Sequence, residues 1–214
     1  MNKSHFPTIN IKAKRFATQL RYSVMIALAL IYACPTRAMA QDGDSHTMSG
    51  QNEELTPDQL SRQGALVKLV RDSTERFQNV KAAEHEGYYL KFGCVSGDDF
   101  GAMGLHYVND GLVGEGIVDA TRPQIVLYEA QRNGRLKLTG ADYLVLAEAW
   151  DAKHPGVPPQ LMGQIFHYFP SPNRFGLPAF YTLHVWAWKE NPKGAFVNWH
   201  PNVSCQSFVG KTTP

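Results

Sequence analysis

The sequence predicts an α+β fold in which an N-terminal amphipathic helix packs on a mainly antiparallel β-sheet. Up to Gly87, apolar residues recur at the three- and four-residue spacing of a helix. Beyond Gly87, short runs rich in Val, Tyr, Leu and Trp alternate with Gly, Pro, Asn and Asp, which is typical of strands and turns. Few helical segments are left to serve as crossovers between parallel strands, so hairpin-linked, antiparallel strands are expected.

Residues 1–40 have the pattern of a secretory signal peptide. A head with basic but no acidic residues precedes an apolar run of eleven residues from Val24 to Cys34, which is too short to span a bilayer. The small residues Ala38 and Ala40 then suit cleavage before Gln41. The alternative is a lipoprotein signal in which Cys34 is acylated, but Tyr32 suits that signal poorly. We expect a periplasmic or secreted protein, cleaved near Ala40, with no transmembrane span in its mature form.

Removing residues 1–40 changes the charge of the chain. The formal charge is +2 for the whole chain, whereas residues 41–214 hold 15 basic and 19 acidic residues, a charge of −4. A mildly acidic chain without basic clusters argues against nucleic-acid binding. Residues 41–55 are polar and predict a flexible linker, and residues 56–214 are long enough for a single domain with its own core.

The helix is expected to start at Thr56, because Thr56-Pro57-Asp58-Gln59 combines a capping hydroxyl, a first-turn proline and a glutamine three residues after the cap. A break is expected near residues 72–74, and Gly87 can end the helical segment. Six strands follow, with Asn133-Gly134 as a hairpin turn between two of them. The predicted strands are 88–94, 102–108, 124–130, 135–150 with a bend, 164–169 and 180–188.

Two cysteines, Cys94 and Cys205, remain after removal of the signal peptide. In an oxidising compartment the expectation is a disulfide between them, which would stabilise the fold by about 4–5 kcal/mol in the chain-entropy model. The alternative, a pair of thiolate metal ligands, lacks the close Cys-x-x-Cys spacing that structural zinc sites favour.

Four stretches together resemble a family of uncharacterised exported bacterial proteins. They are FQNVKAAEHEGY at 77–88, the region 94–109 with its MGLHYVN core, RPQIVLY at 122–128, and LHVWAW at 183–188 continuing through NPKG to Cys205. The resemblance spans nearly all of the predicted domain and implies export, without implying an activity. This chain departs from the family pattern at Asp142, where a glutamate is common, and at His200, where an asparagine is more usual.

His106 and His184 are the first candidates for a functional site, since each lies inside a predicted strand. Neutral imidazole is a common metal ligand, and Glu129 and Asp142, on the predicted hairpin strands, could complete a mixed nitrogen and oxygen site for zinc, iron or manganese. The structural alternative is two buried histidines hydrogen-bonded to backbone carbonyls, with the carboxylates on the solvated side of a hairpin.

Aromatic residues near these histidines are candidates for ligand binding. Strand alternation places His184 on one face with Trp186 and Trp188. Tyr107 and His167 belong to the same candidate set, in which flat rings could hold an organic ligand. The alternative is that these aromatics are ordinary material of a sheet core.

Three hypotheses for the function follow. The first is an exported protein that binds a small ligand or a divalent metal in a pocket lined by histidine and tryptophan. The second is a structural or interaction module of the cell envelope without catalytic activity, and the third is a metal-dependent enzyme that uses the same histidines. The Gly-x-Ser-x-Gly, His-Glu-x-x-His and P-loop motifs are absent from the sequence.

Overall fold

The computed structural model describes residues 54–97 and 99–213, all within one compact unit that spans residues 51–214. The predicted signal peptide, Cys34 and residues 41–53 of the predicted linker lie outside the described residues. In the part that is described, no helix combines the length and the apolar character needed to cross a membrane.

The predicted α+β class is confirmed, and the sheet is mixed. The strands are β1 (Tyr89–Gly97), β2 (Gly101–Val108), β3 (Ile125–Ala130), β4 (Leu136–Leu146), β5 (Gln160–Leu161), β6 (Gln164–Ile165), β7 (His167–Phe169), β8 (Phe180–Val185) and β9 (Thr212–Thr213). Seven of them form one sheet in the order β7-β8-β4-β3-β2-β1-β9, and β5 and β6 form a small separate hairpin. Neighbours in the large sheet are antiparallel except β1 and β9, which are parallel.

Three predicted strands end differently in the structure. The run predicted at 135–150 is a strand only to Leu146 and continues as a short helix. The run at 164–169 divides between β6 and β7, and the run at 180–188 ends at Val185. In the last case the backbone N–H of Ala187 bonds to the carbonyl of Val185, a tight turn that ends the strand alternation.

The helices are α1 (Pro57–Thr74), α2 (Val80–His85), α3 (Asp110–Glu115) and α4 (Ala147–Asp151), with a 3₁₀ turn at Glu75–Gln78. Thr56 caps α1 reciprocally: its hydroxyl accepts from the N–H of Gln59, and the Gln59 side chain accepts from the N–H of Thr56. This arrangement satisfies two backbone donors at the exposed start of the helix.

One face of the sheet is covered by α1, the 3₁₀ turn and α2. Leu66 and Val70 of α1 pack against Tyr143 and Leu183, and both α1 side chains are fully buried. Burial of each contributes about 1.5–3 kcal/mol. Buried tyrosines tie the layers together, since the hydroxyl of Tyr128 donates to the carbonyl of Phe77 at 2.7 Å.

The opposite face of the sheet is covered by loops. Leu127, Leu144, Phe180 and Trp186 form a second apolar layer there, joined by partly buried side chains of the loop at residues 170–178. Asn173 holds that loop together, because its amide donates to the carbonyls of Pro170 and Leu177 at 3.0 and 2.9 Å.

The sulfur atoms of Cys94 and Cys205 lie 2.06 Å apart, at disulfide distance, as the sequence predicted. The pair joins β1 to the segment that follows the last long strand. The parallel pairing of β9 with β1 attaches the end of the chain to the same strand.

Candidate metal centre

Three chemically active side chains converge on the loop-covered face: His106 from β2, Asp142 from β4 and His184 from β8. Asp142 pairs directly with His184 in the antiparallel register, which places both on the same face. His106 pairs with Leu127 of the intervening strand, and its ring reaches across that strand. The two imidazole ring centres lie 5.9 Å apart, and each of the three residues is only 3 % exposed.

The distances within this triad suit a shared metal ion. One ligand atom from each residue lies within 4.8 Å of the other two, and Asp142 Oδ1 is 3.5 Å from His184 Nδ1. Ligands about 2.1 Å from a tetrahedral ion are roughly 3.4 Å apart, so the Asp142–His184 spacing already matches. The largest separation within the set, up to 4.8 Å, would have to shorten for all three atoms to bind one ion.

The backbone orients the ring of His106. Its Nδ1 lies 3.2 Å from the carbonyl oxygen of Gly104, and donation of the Nδ1 proton leaves the lone pair on Nε2. Metal-ligating histidines commonly make such a bond through the nitrogen that does not bind the metal. Gly104 sits at an irregularity of the β1–β2 ladder with φ +89°, and a Cβ there would lie 2.5 Å from the carbonyl oxygen of Tyr128. Only glycine fits this position without strain.

Asp142 is a buried carboxylate whose hydrogen bonds come from one hydroxyl and from the backbone. The hydroxyl of Thr182 donates to its Oδ1 at 2.5 Å. Burial raises the pKa of Asp142 to about 6, whereas the nearby His106, the bond from Thr182 and the backbone bonds from Leu183 and Tyr143 lower it. The group is therefore mainly ionised at neutral pH, and it places a negative charge in an apolar interior.

His184 has no good hydrogen bond. Both of its ring nitrogens are buried without a hydrogen-bond partner among the described residues. The side chain of Asn198 lies near enough to favour the protonated ring, yet its geometry gives neither nitrogen a hydrogen bond. Buried polar atoms are rarely left in this state, so each one calls for an explanation.

Both imidazoles are neutral at neutral pH. Burial lowers the pKa of His184 to about 3, with a further contribution from His167, and burial lowers the pKa of His106 to about 4, with a further contribution from His184. The triad therefore combines two neutral nitrogen donors with one carboxylate, which are the protonation states that metal binding requires.

A cavity of about 20 Å³ adjoins the triad, and its remaining walls are mainly apolar. A volume of this order holds about one water-sized group. The space is far too small for the organic ligand that the aromatic residues suggested. The walls are Phe92, Met103, Ile125, Leu144, Phe169, Phe175, Leu177, Phe180 and Thr182, together with the triad itself.

Glu129, predicted as a fourth ligand, is not part of this cluster. Its carboxylate accepts from the ammonium of Lys189 at 2.7 Å and from the backbone N–H of Ser204 at 3.1 Å. Glu129 therefore anchors the C-terminal segment to β3. The sequence pattern could not separate it from Asp142, because both are acids on adjacent strands.

The predicted ligand-binding aromatics divide between the two faces of the sheet. Trp186 is beside the triad, with its ring stacked at 6.2 Å from that of His184. Trp188 lies beyond the turn at Ala187 and donates its indole N–H to the hydroxyl of Thr74, on the helix-covered face. Tyr107 packs against Tyr128 on that same face, at 5.0 Å between ring centres.

His167 occupies an edge position near the triad. It pairs with Thr182 across the β7–β8 ladder, and its side chain is exposed. It lowers the pKa of the buried His184, but it does not line the cavity.

Two contributors to the site were missed by sequence reasoning. Thr182, the hydrogen-bond partner of Asp142, stands two residues before His184, and strand alternation could have indicated its role. Phe175 lies in a Pro-rich loop without periodicity, so nothing in the sequence places its ring near His106.

The arrangement can hold one metal ion through two nitrogens and one oxygen, with an apolar shell around it. The predicted convergence of His106, Asp142 and His184 is the property that any functional assignment must explain. Comparisons with protein-family models, with curated proteins and with solved structures found no match for this chain, so the assignment depends on the site itself.

Proposed function

We propose that this protein binds one divalent transition-metal ion through His106, Asp142 and His184. The observation that carries the proposal is the state of His184, whose two buried nitrogens have no hydrogen-bond partner among the described residues while a carboxylate oxygen lies 3.5 Å away. A metal ion would use one of these nitrogens and neutralise the carboxylate at the same time.

The balance of charge supports a cation at this position. An ionised carboxylate in an apolar interior is strongly destabilising unless it is paired. The described residues that line the cavity include no lysine and no arginine, and the low pKa values of both histidines leave them neutral. A dication is therefore the partner that fits the charge of Asp142.

The donor set favours first-row transition metals. Two imidazole nitrogens and one carboxylate oxygen suit zinc, iron or manganese, whereas calcium and magnesium prefer sites made entirely of oxygen. The apolar shell of phenylalanines limits access of water and strengthens the electrostatic interactions inside.

The test is elemental analysis of the protein purified without an affinity tag, then stripped of metal and reloaded with zinc. We expect about one ion per chain in the wild type and near-complete loss in the His106→Ala and His184→Ala variants, because each variant removes one of only three ligands. His167→Ala is the matched control, since it removes an exposed imidazole close to the site.

A result in which the wild type retains no zinc after reloading, and both buried variants lose only stability, would contradict the proposal. It would favour the alternative in which the same two histidines are buried for structural reasons and bind no metal. Circular dichroism on every variant separates loss of the site from loss of the fold.

We infer further that the protein is exported. The signal-peptide pattern of residues 1–40, the resemblance to exported bacterial proteins and the Cys94–Cys205 pair all support this inference. The intact mass of the mature protein is expected to correspond to a chain that begins at Gln41 and contains the disulfide. A chain that begins at an acylated Cys34 would instead identify a lipoprotein.

A further inference from the structure

We infer that Asn198 is a positioning residue for the metal site, because its side-chain oxygen accepts a hydrogen bond from the ring nitrogen of His184 that does not bind the metal. This inference rests on the proposed function and adds a residue beyond the three ligands. His184 and Asn198 lie close together, and both hold buried polar atoms without a hydrogen-bond partner among the described residues. An imidazole N–H can donate and an amide oxygen can accept, so each group supplies what the other lacks.

The segment that carries Asn198 runs between β8 and β2, the two strands that hold the histidines. Near the end of β8, the indole N–H of Trp186 donates to the carbonyl of Val197 at 2.6 Å. On β2, the backbones of Ala102 and His200 exchange two hydrogen bonds of 3.2 Å. Asn198 therefore lies between two fixed points of the backbone.

Asn198 approaches His184 from outside the cavity. All three proposed ligands line that cavity, and Asn198 is not among its walls. An oxygen that bound the ion directly would line the same space, so the position of Asn198 favours contact with His184 over metal ligation. Metal-ligating histidines commonly donate their second ring N–H to an oxygen of this kind, which fixes the tautomer and the orientation of the ring.

The spacing within the triad assigns the two nitrogens of His184. Its Nδ1 lies 3.5 Å from Asp142 Oδ1, and two ligands of one ion are about this far apart. Nδ1 is therefore the nitrogen that binds the metal, which leaves the proton on Nε2 for donation to Asn198. His106 has the opposite arrangement, since its Nδ1 lies 3.2 Å from the carbonyl oxygen of Gly104.

The experiment measures zinc affinity, by competition with a chromogenic chelator, in the wild type and in variants of residue 198. Asn198→Leu keeps the approximate size of the side chain and removes the acceptor, so zinc binding should weaken about 10- to 100-fold. Asn198→Asp keeps an acceptor oxygen and should bind zinc at least as tightly as the wild type. Asn202→Leu makes the same change at an exposed asparagine of the same segment and should leave the affinity unchanged.

Nitrogen NMR of the zinc-loaded wild type tests the inference without any substitution. We expect the ring proton of His184 on Nε2, and a proton on Nδ1 would overturn the assignment. A purely structural role for Asn198 makes a different prediction for the variants: Asn198→Asp, which adds a buried charge, would bind zinc no more tightly than Asn198→Leu. That result would also overturn the inference.

The outcomes separate this inference from the proposed function. If the wild type binds no zinc, the metal site itself is wrong and the role of Asn198 fails with it. If the wild type binds zinc and folded Asn198→Leu binds it equally tightly, the metal site stands and only the role of Asn198 is rejected. Far-UV circular dichroism establishes that each variant is folded before its affinity is measured.

Discussion

Replacement of Asp142 by asparagine is expected to weaken zinc binding at least about 100-fold while leaving the metal-free protein as stable as the wild type or more stable. The two effects have opposite signs because the carboxylate is an advantage only when a cation is present. Loss of the negative charge removes the strongest attraction for a dication, and it also removes a buried charge that nothing else neutralises.

The shape of the site makes this substitution informative. Asparagine keeps an oxygen that can accept from the hydroxyl of Thr182, which now lies 2.5 Å from Asp142 Oδ1. The same atom of residue 142 lies 3.5 Å from His184 Nδ1, so the contact with His184 keeps its position. The variant therefore preserves the side-chain volume and the bond from Thr182 while it changes the charge.

The pH dependence of stability gives a second readout. Since burial raises the folded pKa of Asp142 from 3.8 to about 6, its stabilising contribution is full below pH 3.8 and is lost as the pH rises through 6. The asparagine variant has no such loss. Urea unfolding of the metal-free proteins gives the free energy of unfolding of each. Relative to the wild type, the value for the variant should rise by about 2–3 kcal/mol between about pH 4 and about pH 7.

A structural ion pair between Asp142 and a protonated histidine predicts the reverse. In that case the asparagine variant would lose stability near neutral pH, because it would leave an imidazolium buried and unpaired. Zinc added to the wild type should also protect it from urea, and the same zinc concentration should protect the variant far less.

The strands of the sheet could be predicted from the sequence, because strand composition and turn residues are local signals. Strand alternation correctly grouped His184 with Trp186, but it failed two residues later at Trp188. The backbone turns at Ala187, where its N–H bonds to the carbonyl of Val185, and this sends Trp188 to the other face. Such a turn depends on the surrounding fold and leaves no periodic trace.

For the site, the sequence could predict only the types of residue involved, and not which of them meet in the fold. Which acid joins the histidines depends on strand order: Asp142 meets His184 across the β4–β8 ladder, whereas Glu129 finds Lys189. Spacing along the chain cannot supply this order. The apolar wall around Phe175 was hidden for the same reason, since loop residues acquire their neighbours only through tertiary packing.

Loss of the Cys94–Cys205 disulfide is expected to lower the free energy of unfolding by about 4–5 kcal/mol. The bond closes a loop with a sequence separation of 111 residues, so its removal greatly enlarges the number of conformations open to the unfolded chain. That loss is a large part of the 5–15 kcal/mol that typically stabilises a domain.

Denaturant unfolding of the wild type with and without reductant measures this effect, and the Cys94→Ala/Cys205→Ala variant provides the control. Reductant should lower the wild-type midpoint and leave the variant unchanged; equal midpoints for the wild type in both conditions would contradict the expectation.

The metal content of the double variant shows whether the disulfide supports only the fold or also the metal site. His106, Asp142 and His184 all lie on strands of the sheet, and none lies on the segment that Cys205 anchors. The folded double variant should therefore still bind about one zinc ion per chain, because the disulfide stabilises the unit that carries the triad without positioning any of its ligands.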